Sequence, residues 1–105
     1  MTRTRIMYVE DKSKSLNGPA RIGRVRFSRS GRTLTYQGRT FRPLKPCGYK
    51  ANYEDVASGK RYWISGPRKD GLDRLYPEST RPVHIDNDVA DEYWRTIRRL
   101  PRPRD

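Results

Sequence analysis

Hydrophobic and polar residues alternate along most of this chain with the two-residue period that is typical of β-strands. The alternation predicts strands at residues 5–10, 20–28, 33–36, 39–42, 50–56 and 61–65. A shorter apolar run at residues 83–85 predicts a last edge strand, whereas residues 72–76 fit either a short strand or an irregular segment. The chain is therefore expected to be mainly β.

The strongest strand signal is the run of Tyr62, Trp63 and Ile64, because aromatic and β-branched side chains favour a half-buried sheet. Gly66 and Pro67 interrupt this strand, since glycine relaxes the backbone and proline fixes it. A polar, charged loop is expected to follow.

Two hairpins are predicted from short connections that contain glycine. Gln37 and Gly38 join residues 33–36 to residues 39–42 in a register that places Leu34 opposite Phe41. Residues 57–60 form the loop of the second hairpin, which joins residues 50–56 to residues 61–65.

The predicted strand at residues 20–28 contains a change of phase. Val25 and Phe27 share one face by alternation, but Ile22 falls on the opposite face unless one extra residue is inserted. This irregularity predicts a β-bulge at Gly23.

The hydrophobic period lengthens to that of an α-helix after residue 85. Val89, Tyr93 and Ile97 recur at helical spacing, and Asp86 occupies a favourable N-cap position. Pro101 ends the pattern. The sequence predicts one helix at residues 86–100 that covers a side or end of the sheet, followed by a flexible basic tail at residues 101–105.

Length and composition indicate one folded domain over residues 1–100. The hydrophobic share is 32% and the charged share 34%, but two Trp, seven Tyr and two Phe supply large apolar surfaces for a small core. The expected architecture is α+β: a small antiparallel sheet, or an SH3-like partly open barrel of five to seven strands, with one C-terminal α-helix.

Several classes of protein are disfavoured by the residues that are scarce. Cys47 is the single cysteine and cannot form an internal disulfide, and Cys47 and His84 cannot provide the four ligands of a structural zinc site. No run of eighteen apolar residues occurs. We expect a cytoplasmic protein with no cofactor and no membrane partner.

Positive charge is concentrated in one segment of the chain. The formal net charge is +12, and no acidic residue lies between Asp11 and Glu54. A surface of one sign attracts phosphates and gains affinity by releasing their counterions. The residues predicted to bind nucleic acid are Arg21, Arg24, Arg26, Arg29, Arg32, Arg39, Arg42 and Lys45.

Alternation places Arg24, Arg26 and Arg42 on the outer face of the predicted sheet beside several threonines. Most aromatic residues are expected to be buried, so they are not free to stack on bases. The sequence therefore predicts binding of DNA or RNA through the phosphate backbone with low sequence specificity. The solubilising role that arginines have on many protein surfaces explains the same composition.

Two other functions remain open. A protein-interaction module would bind an acidic partner through the basic face and the segment of Tyr93 and Trp94. A small enzyme would use a possible interaction loop, although Asp–Arg pairing within a loop explains the same residues. That loop contains Lys69, Asp73, Arg74 and Tyr76.

Neither candidate nucleophile nor candidate base stands out. Lys45 and Lys50 favour the thiolate of Cys47, but a catalytic thiol also needs a positioned base. His84 lies between two apolar residues, where a structural role is favoured over general-base work. No catalytic or metal-binding residue is assigned.

The order of short motifs along the chain resembles that of a set of small bacterial proteins. The shared motifs lie at residues 6–8, 18–25, 27–28, 52–53, 62–66, 73–76 and 92–94. Members of this set often carry the label deoxyxylulose-phosphate synthase, an activity that needs a large α/β scaffold and a Gly-Asp-Gly motif for magnesium. Asp70 and Gly71 alone do not provide that motif. The resemblance implies no activity for any residue of this chain.

Overall fold

A computed structural model describes residues 3–13, 18–44, 51–70, 73 and 83–101. It contains seven strands: β1 (Arg3–Asp11), β2 (Ala20–Phe27), β3 (Leu34–Tyr36), β4 (Arg39–Pro43), β5 (Tyr53–Asp55), β6 (Arg61–Ser65) and β7 (Val83–Ile85). The predicted run at residues 72–76, Lys45 and Cys47 lie outside the described residues.

The first six strands form a closed antiparallel barrel. Consecutive strands pair from β2 through β6, and β1 pairs with both β2 and β6, which closes the ring. β3 pairs only with Arg26 and Phe27 of β2, and β7 pairs in the parallel direction with Ala20 to Ile22 at the other end of that strand. The prediction of a mainly β protein with a small barrel is confirmed, and the barrel is closed.

The barrel has two apolar regions because its wall is buried on both faces at β1 and β2. The inner core fills the barrel with Met7, Val9, Val25, Leu34, Tyr36, Phe41 and Ile64. The outer core lies between the wall and the C-terminal helix and contains Ile6, Tyr8, Ala20, Ile22, Val89 and Tyr93. Alternate residues of β1 thus enter different cores.

The predicted bulge at Gly23 is wrong. β2 pairs with β1 without interruption, with Gly23 opposite Met7 and Ile22 opposite Tyr8. Ile22 enters the outer core and Val25 the inner core, so their difference of phase reflects two buried faces. Position 23 needs a glycine because the side chains of Tyr36 and Asp86 lie against its backbone and occupy the space that a β-carbon would take.

The register of the first hairpin is confirmed. Leu34 lies opposite Phe41 and Tyr36 opposite Arg39. Gln37 and Gly38 both have positive φ, at 49° and 75°, as a two-residue type I′ connection requires. In the second hairpin, Tyr53 lies opposite Tyr62.

The C-terminal helix begins as α1 (Ala90–Glu92) and continues as a π-helix over Tyr93–Arg98. Its N-cap is Val89, which makes no side-chain capping bond, so the prediction that Asp86 caps the helix is wrong. The Asp86 carboxylate accepts hydrogen bonds from Tyr36 and Arg21 instead. The Asp86 side chain therefore joins the helical segment to the barrel.

Candidate nucleic-acid interface

Four of the predicted nucleic-acid-binding arginines form ion pairs with carboxylates. Their N–O distances are 2.8 Å for Arg21 to Asp86, 2.9 Å for Arg24 to Glu92, 3.1 Å for Arg39 to Asp55 and 2.5 Å for Arg42 to Glu54. Each carboxylate neutralises part of the positive field of its arginine. These four side chains therefore contribute less attraction for phosphate than their number suggests.

The ion pair between Asp55 and Arg39 is supported by further hydrogen bonds. Although burial acts to raise it, the pKa of Asp55 is held below its ordinary value by hydrogen bonds from Ala57 N–H, the Ser58 hydroxyl and the Arg39 guanidinium. The corresponding lengths are 3.0 Å, 3.0 Å and 3.1 Å. The carboxylate is thus held charged beside Arg39.

Arg21 belongs to a second ordered group. Its Nε donates to Asp86 at 2.9 Å and to the Tyr36 hydroxyl at 3.3 Å. Burial lowers the pKa of Arg21, but these hydrogen bonds and the Asp86 charge outweigh it and raise that pKa. Burial, followed by Asp86, raises the pKa of Tyr36. The group connects β2, β3 and the segment after β7.

Three predicted arginines make no ion pair with a described residue: Arg26, Arg29 and Arg32. Arg26 is exposed on β2 and lies opposite Thr35, which in turn lies opposite Thr40. Arg29 and Arg32 are exposed in the turn between β2 and β3. The predicted threonine-lined face therefore exists around Arg26, but Arg24 and Arg42 are engaged by carboxylates.

β1 brings two further arginines to the same end of the barrel. Because β1 and β2 are antiparallel, Arg3 lies opposite Phe27 and Arg5 opposite Val25. The Arg3 guanidinium carbon lies 5.4 Å from the centre of the Phe27 ring. Both arginines are exposed, and neither forms an ion pair with a described residue.

We call Arg3, Arg5, Arg26, Arg29 and Arg32 the arginine end of the barrel. No acidic residue occurs at residues 3–9 or 23–44, the segments that form it. The acid-free segment alone could not indicate Arg3 and Arg5, which precede it in the chain. The signal that could have found them is the pairing of the first two predicted strands as a hairpin.

An open cleft of about 370 Å³ lies beside the arginine end. Its wall includes Thr4, Arg5, Gly66 and Ile97, together with the Arg24–Glu92 ion pair. The cleft separates the barrel from the C-terminal helix on this side, so Arg5 faces both the barrel end and the helix.

The possible interaction loop is only partly described, because Arg74 and Tyr76 lie outside the described residues. Asp73 is buried and accepts a hydrogen bond of 2.6 Å from the Arg68 N–H. Burial raises the pKa of Asp73. Lys69 contributes its carbonyl oxygen, which accepts from Arg98 Nε at 3.0 Å. The bond between Arg98 and Lys69 joins the loop to the helix, and the bond between Arg68 and Asp73 lies within the loop.

His84 is exposed at the edge strand, with Nε2 at 3.9 Å from Asp86 Oδ1. Among the described residues, no three His, Cys, Asp or Glu side chains come together in a way that could hold a metal ion. Within the described ranges, no helix has the length and apolar character needed to cross a membrane.

No protein-family model matches this chain, and neither the curated proteins nor the solved structures give a significant match.

Proposed function

We propose that this protein is a basic binding module that holds nucleic acid by its phosphate backbone, with low sequence specificity, at the arginine end of the barrel. The observation that carries the proposal is a group of five exposed guanidinium groups on adjoining segments, residues 3–9 and 23–44, which contain no acidic residue of their own. Guanidinium groups present forked donors that match phosphate oxygens.

Ion pairing favours this end over the rest of the basic surface. Arg21, Arg24, Arg39 and Arg42 each hold a carboxylate, and that bond would have to be shared with or lost to a phosphate. The arginines of the barrel end have no such competitor among the described residues. They can meet a polyanion without first breaking an ion pair inside the protein.

The aromatic residues support low sequence specificity. Phe27, an aromatic residue at the arginine end, is half-buried and lies beneath the Arg3 guanidinium. Sequence-tolerant stacking and base readout both need exposed groups that reach the bases. Phosphate contacts made by exposed arginines position a strand without reading its sequence.

A salt titration of the whole chain tests the proposal. Fluorescence anisotropy would follow its binding to labelled DNA and RNA of two unrelated sequences, with poly-glutamate as an acidic polypeptide probe. Five phosphate contacts predict a slope of about −4.5 in log affinity against log salt for duplex DNA, nearly the same for both sequences. Binding to poly-glutamate that equals or exceeds binding to nucleic acid would instead support the acidic-protein module.

A further inference from the structure

The mouth of the barrel opposite the arginine end contains a second, more enclosed cavity. Its volume is about 160 Å³. Val9, Phe41 and Tyr62 form an apolar lining, and the Phe41 and Tyr62 rings meet edge to face with centres 4.8 Å apart. Ligand sites commonly occupy the mouths of β-barrels where apolar walls meet a few polar groups.

The size of this cavity limits what it can hold. A dry cavity of about 150 Å³ in a protein core accommodates one benzene ring, whereas pockets for drug-sized ligands begin at about 300 Å³. The aromatic lining favours a flat ring, which can stack on the Phe41 and Tyr62 rings or meet them edge to face. A single planar ring is therefore the ligand that fits best.

The polar lining supplies both donors and an acceptor. Arg21 uses two of its five N–H groups on Asp86 and Tyr36, and Arg39 uses one on Asp55. Both arginines are also about half exposed, at 41% and 50% of their side chains. Asp11 lines the same cavity.

Asp11 has acceptor capacity left. Its Oδ1 accepts from the backbone N–H and the hydroxyl of Ser13, and its Oδ2 makes no hydrogen bond with a described residue. The mouth thus combines two donor groups with one free acceptor.

Charge at the mouth favours a neutral ligand. Arg21 and Arg39 are balanced by Asp86 and Asp55, and Asp11 adds a further negative charge. An anion would gain little from arginines that are already paired. A neutral ring can still use their unused N–H groups.

We propose that this mouth binds one neutral pyrimidine-type ring that carries two carbonyl oxygens on either side of an N–H, as in uracil or thymine. The carbonyl oxygens would accept from Arg21 and Arg39, and the ring N–H would donate to Asp11. The ring can come from a free base or nucleoside, or from an unstacked nucleotide of a strand. The inference is independent of the proposed function, because the two sites lie at opposite ends of the barrel.

The test is a titration of the whole chain with uracil, followed by NMR of the Phe41 and Tyr62 ring protons. We expect saturable shifts with a dissociation constant of about 1 mM or lower, given the affinity that so few ligand atoms can supply. Dihydrouracil keeps the polar groups but has a puckered ring, and benzene keeps the ring but has no polar groups. Both should bind at least tenfold more weakly. Equal binding of either compound, or no shift with uracil, would overturn the proposal.

Two variants locate the site. Val9→Phe places a ring in the cavity and should abolish the uracil shifts while the duplex DNA affinity stays unchanged. Arg39→Lys keeps the ion pair with Asp55 but loses the fork of donors, so uracil binding should weaken severalfold even if Val9→Phe fails to fold. Arg32→Gln, at the other end, is the matched control and should leave uracil binding intact. Unaltered uracil binding in Arg39→Lys would contradict the assignment.

The source of the ring is distinguished by competition. If a short oligouridylate displaces uracil and oligoadenylate does not, the mouth accepts a base within a strand. If uridine displaces uracil but neither oligomer does, the mouth accepts free bases and nucleosides. Displacement by oligoadenylate as strong as by oligouridylate would count against recognition of a pyrimidine ring.

Discussion

The backbone of Gly23 lies against the carboxylate of Asp86, and no side chain fits between them. A β-carbon at 23 would also come within 2.6 Å of the Tyr36 hydroxyl oxygen. Asp86 in turn holds Arg21 and Tyr36. This contact is the point where the segment after β7, and with it the helix, is fixed to the barrel.

Replacing Gly23 by alanine should therefore destabilise the protein by about 3 kcal/mol, at the upper end of the cost of overpacking. The added methyl group would displace a carboxylate that has two partners and a ring that belongs to the inner core. Urea unfolding measures the loss.

Gly38→Ala is the matched control for that variant. Gly38 has a φ of 75° but no atom within 4 Å of a β-carbon, so alanine there suffers only backbone strain of about 1 kcal/mol. A larger loss at Gly38 than at Gly23 would show that the close approach to Asp86 is unimportant.

Tyr36 should make stability fall at alkaline pH. Its pKa in the folded state is raised above the ordinary value of 10.0, chiefly by burial and then by Asp86. As the pH rises above 10, the unfolded chain loses this proton while the folded chain keeps it, so the free energy of unfolding falls. Each such group contributes at most about 1.4 kcal/mol per pH unit.

Tyr36→Phe should reduce that slope above about pH 10, measured by urea unfolding at several pH values. Tyr62 and Tyr93 also have pKa values raised by burial, so part of the slope should remain. An unchanged slope in the variant would contradict a buried, protonated Tyr36.

Asp55 should make stability fall at acidic pH. Its pKa is lowered in the folded protein, so its contribution to stability is complete at neutral pH and is lost as the pH falls below its ordinary pKa of 3.8. Asp55→Asn should flatten the acid side of the stability profile. Ser58→Ala removes one donor to the same carboxylate and should give an intermediate profile; no difference among the three proteins would refute this role.

Arginines at the barrel end should dominate the binding of nucleic acid. Arg29→Gln combined with Arg32→Gln should reduce the magnitude of the salt slope by about 2 and weaken binding to all sequences similarly. Both residues are exposed in a turn, so thermal unfolding should change little. Anisotropy titrations and thermal melts provide the two readouts.

The matched control for this pair is Arg42→Gln, because Arg42 is exposed but bound to Glu54. Its effect on the salt slope should be much smaller. Charge reversal at Arg24 or Arg42 is a poorer test, since it would place two carboxylates together and disturb the fold. If Arg42→Gln weakens binding as much as the double variant, positive charge acts without regard to position.

The features of the fold that could be predicted from the sequence depend on local patterns. The register of Leu34 opposite Phe41 follows from two residues of turn and the alternation on either side, all within a short segment. The same holds for the edge strand Val83–Ile85. Predicting the arginine end needs more than a local pattern, because this surface depends on the pairing of β1 with β2 as well as on the charges themselves.

The ion pairs that could not be predicted join residues that are far apart in the sequence. Arg24 pairs with Glu92, which is 68 residues away, and Arg21 pairs with Asp86, which is 65 residues away. The distribution of charge along the chain does not show such pairs. Asp86 fits the pattern of an N-cap until a buried tyrosine and an arginine compete for its carboxylate.

Closure of the barrel by β1 sets an order of events during synthesis. Val9 pairs with Ile64 across the seam, so the ring cannot be completed until that later strand has left the ribosome. Until then β1 can pair with β2 as a hairpin, with one edge and apolar side chains of both faces still uncovered. At that stage the unpaired edge and the uncovered apolar side chains make this hairpin prone to aggregation.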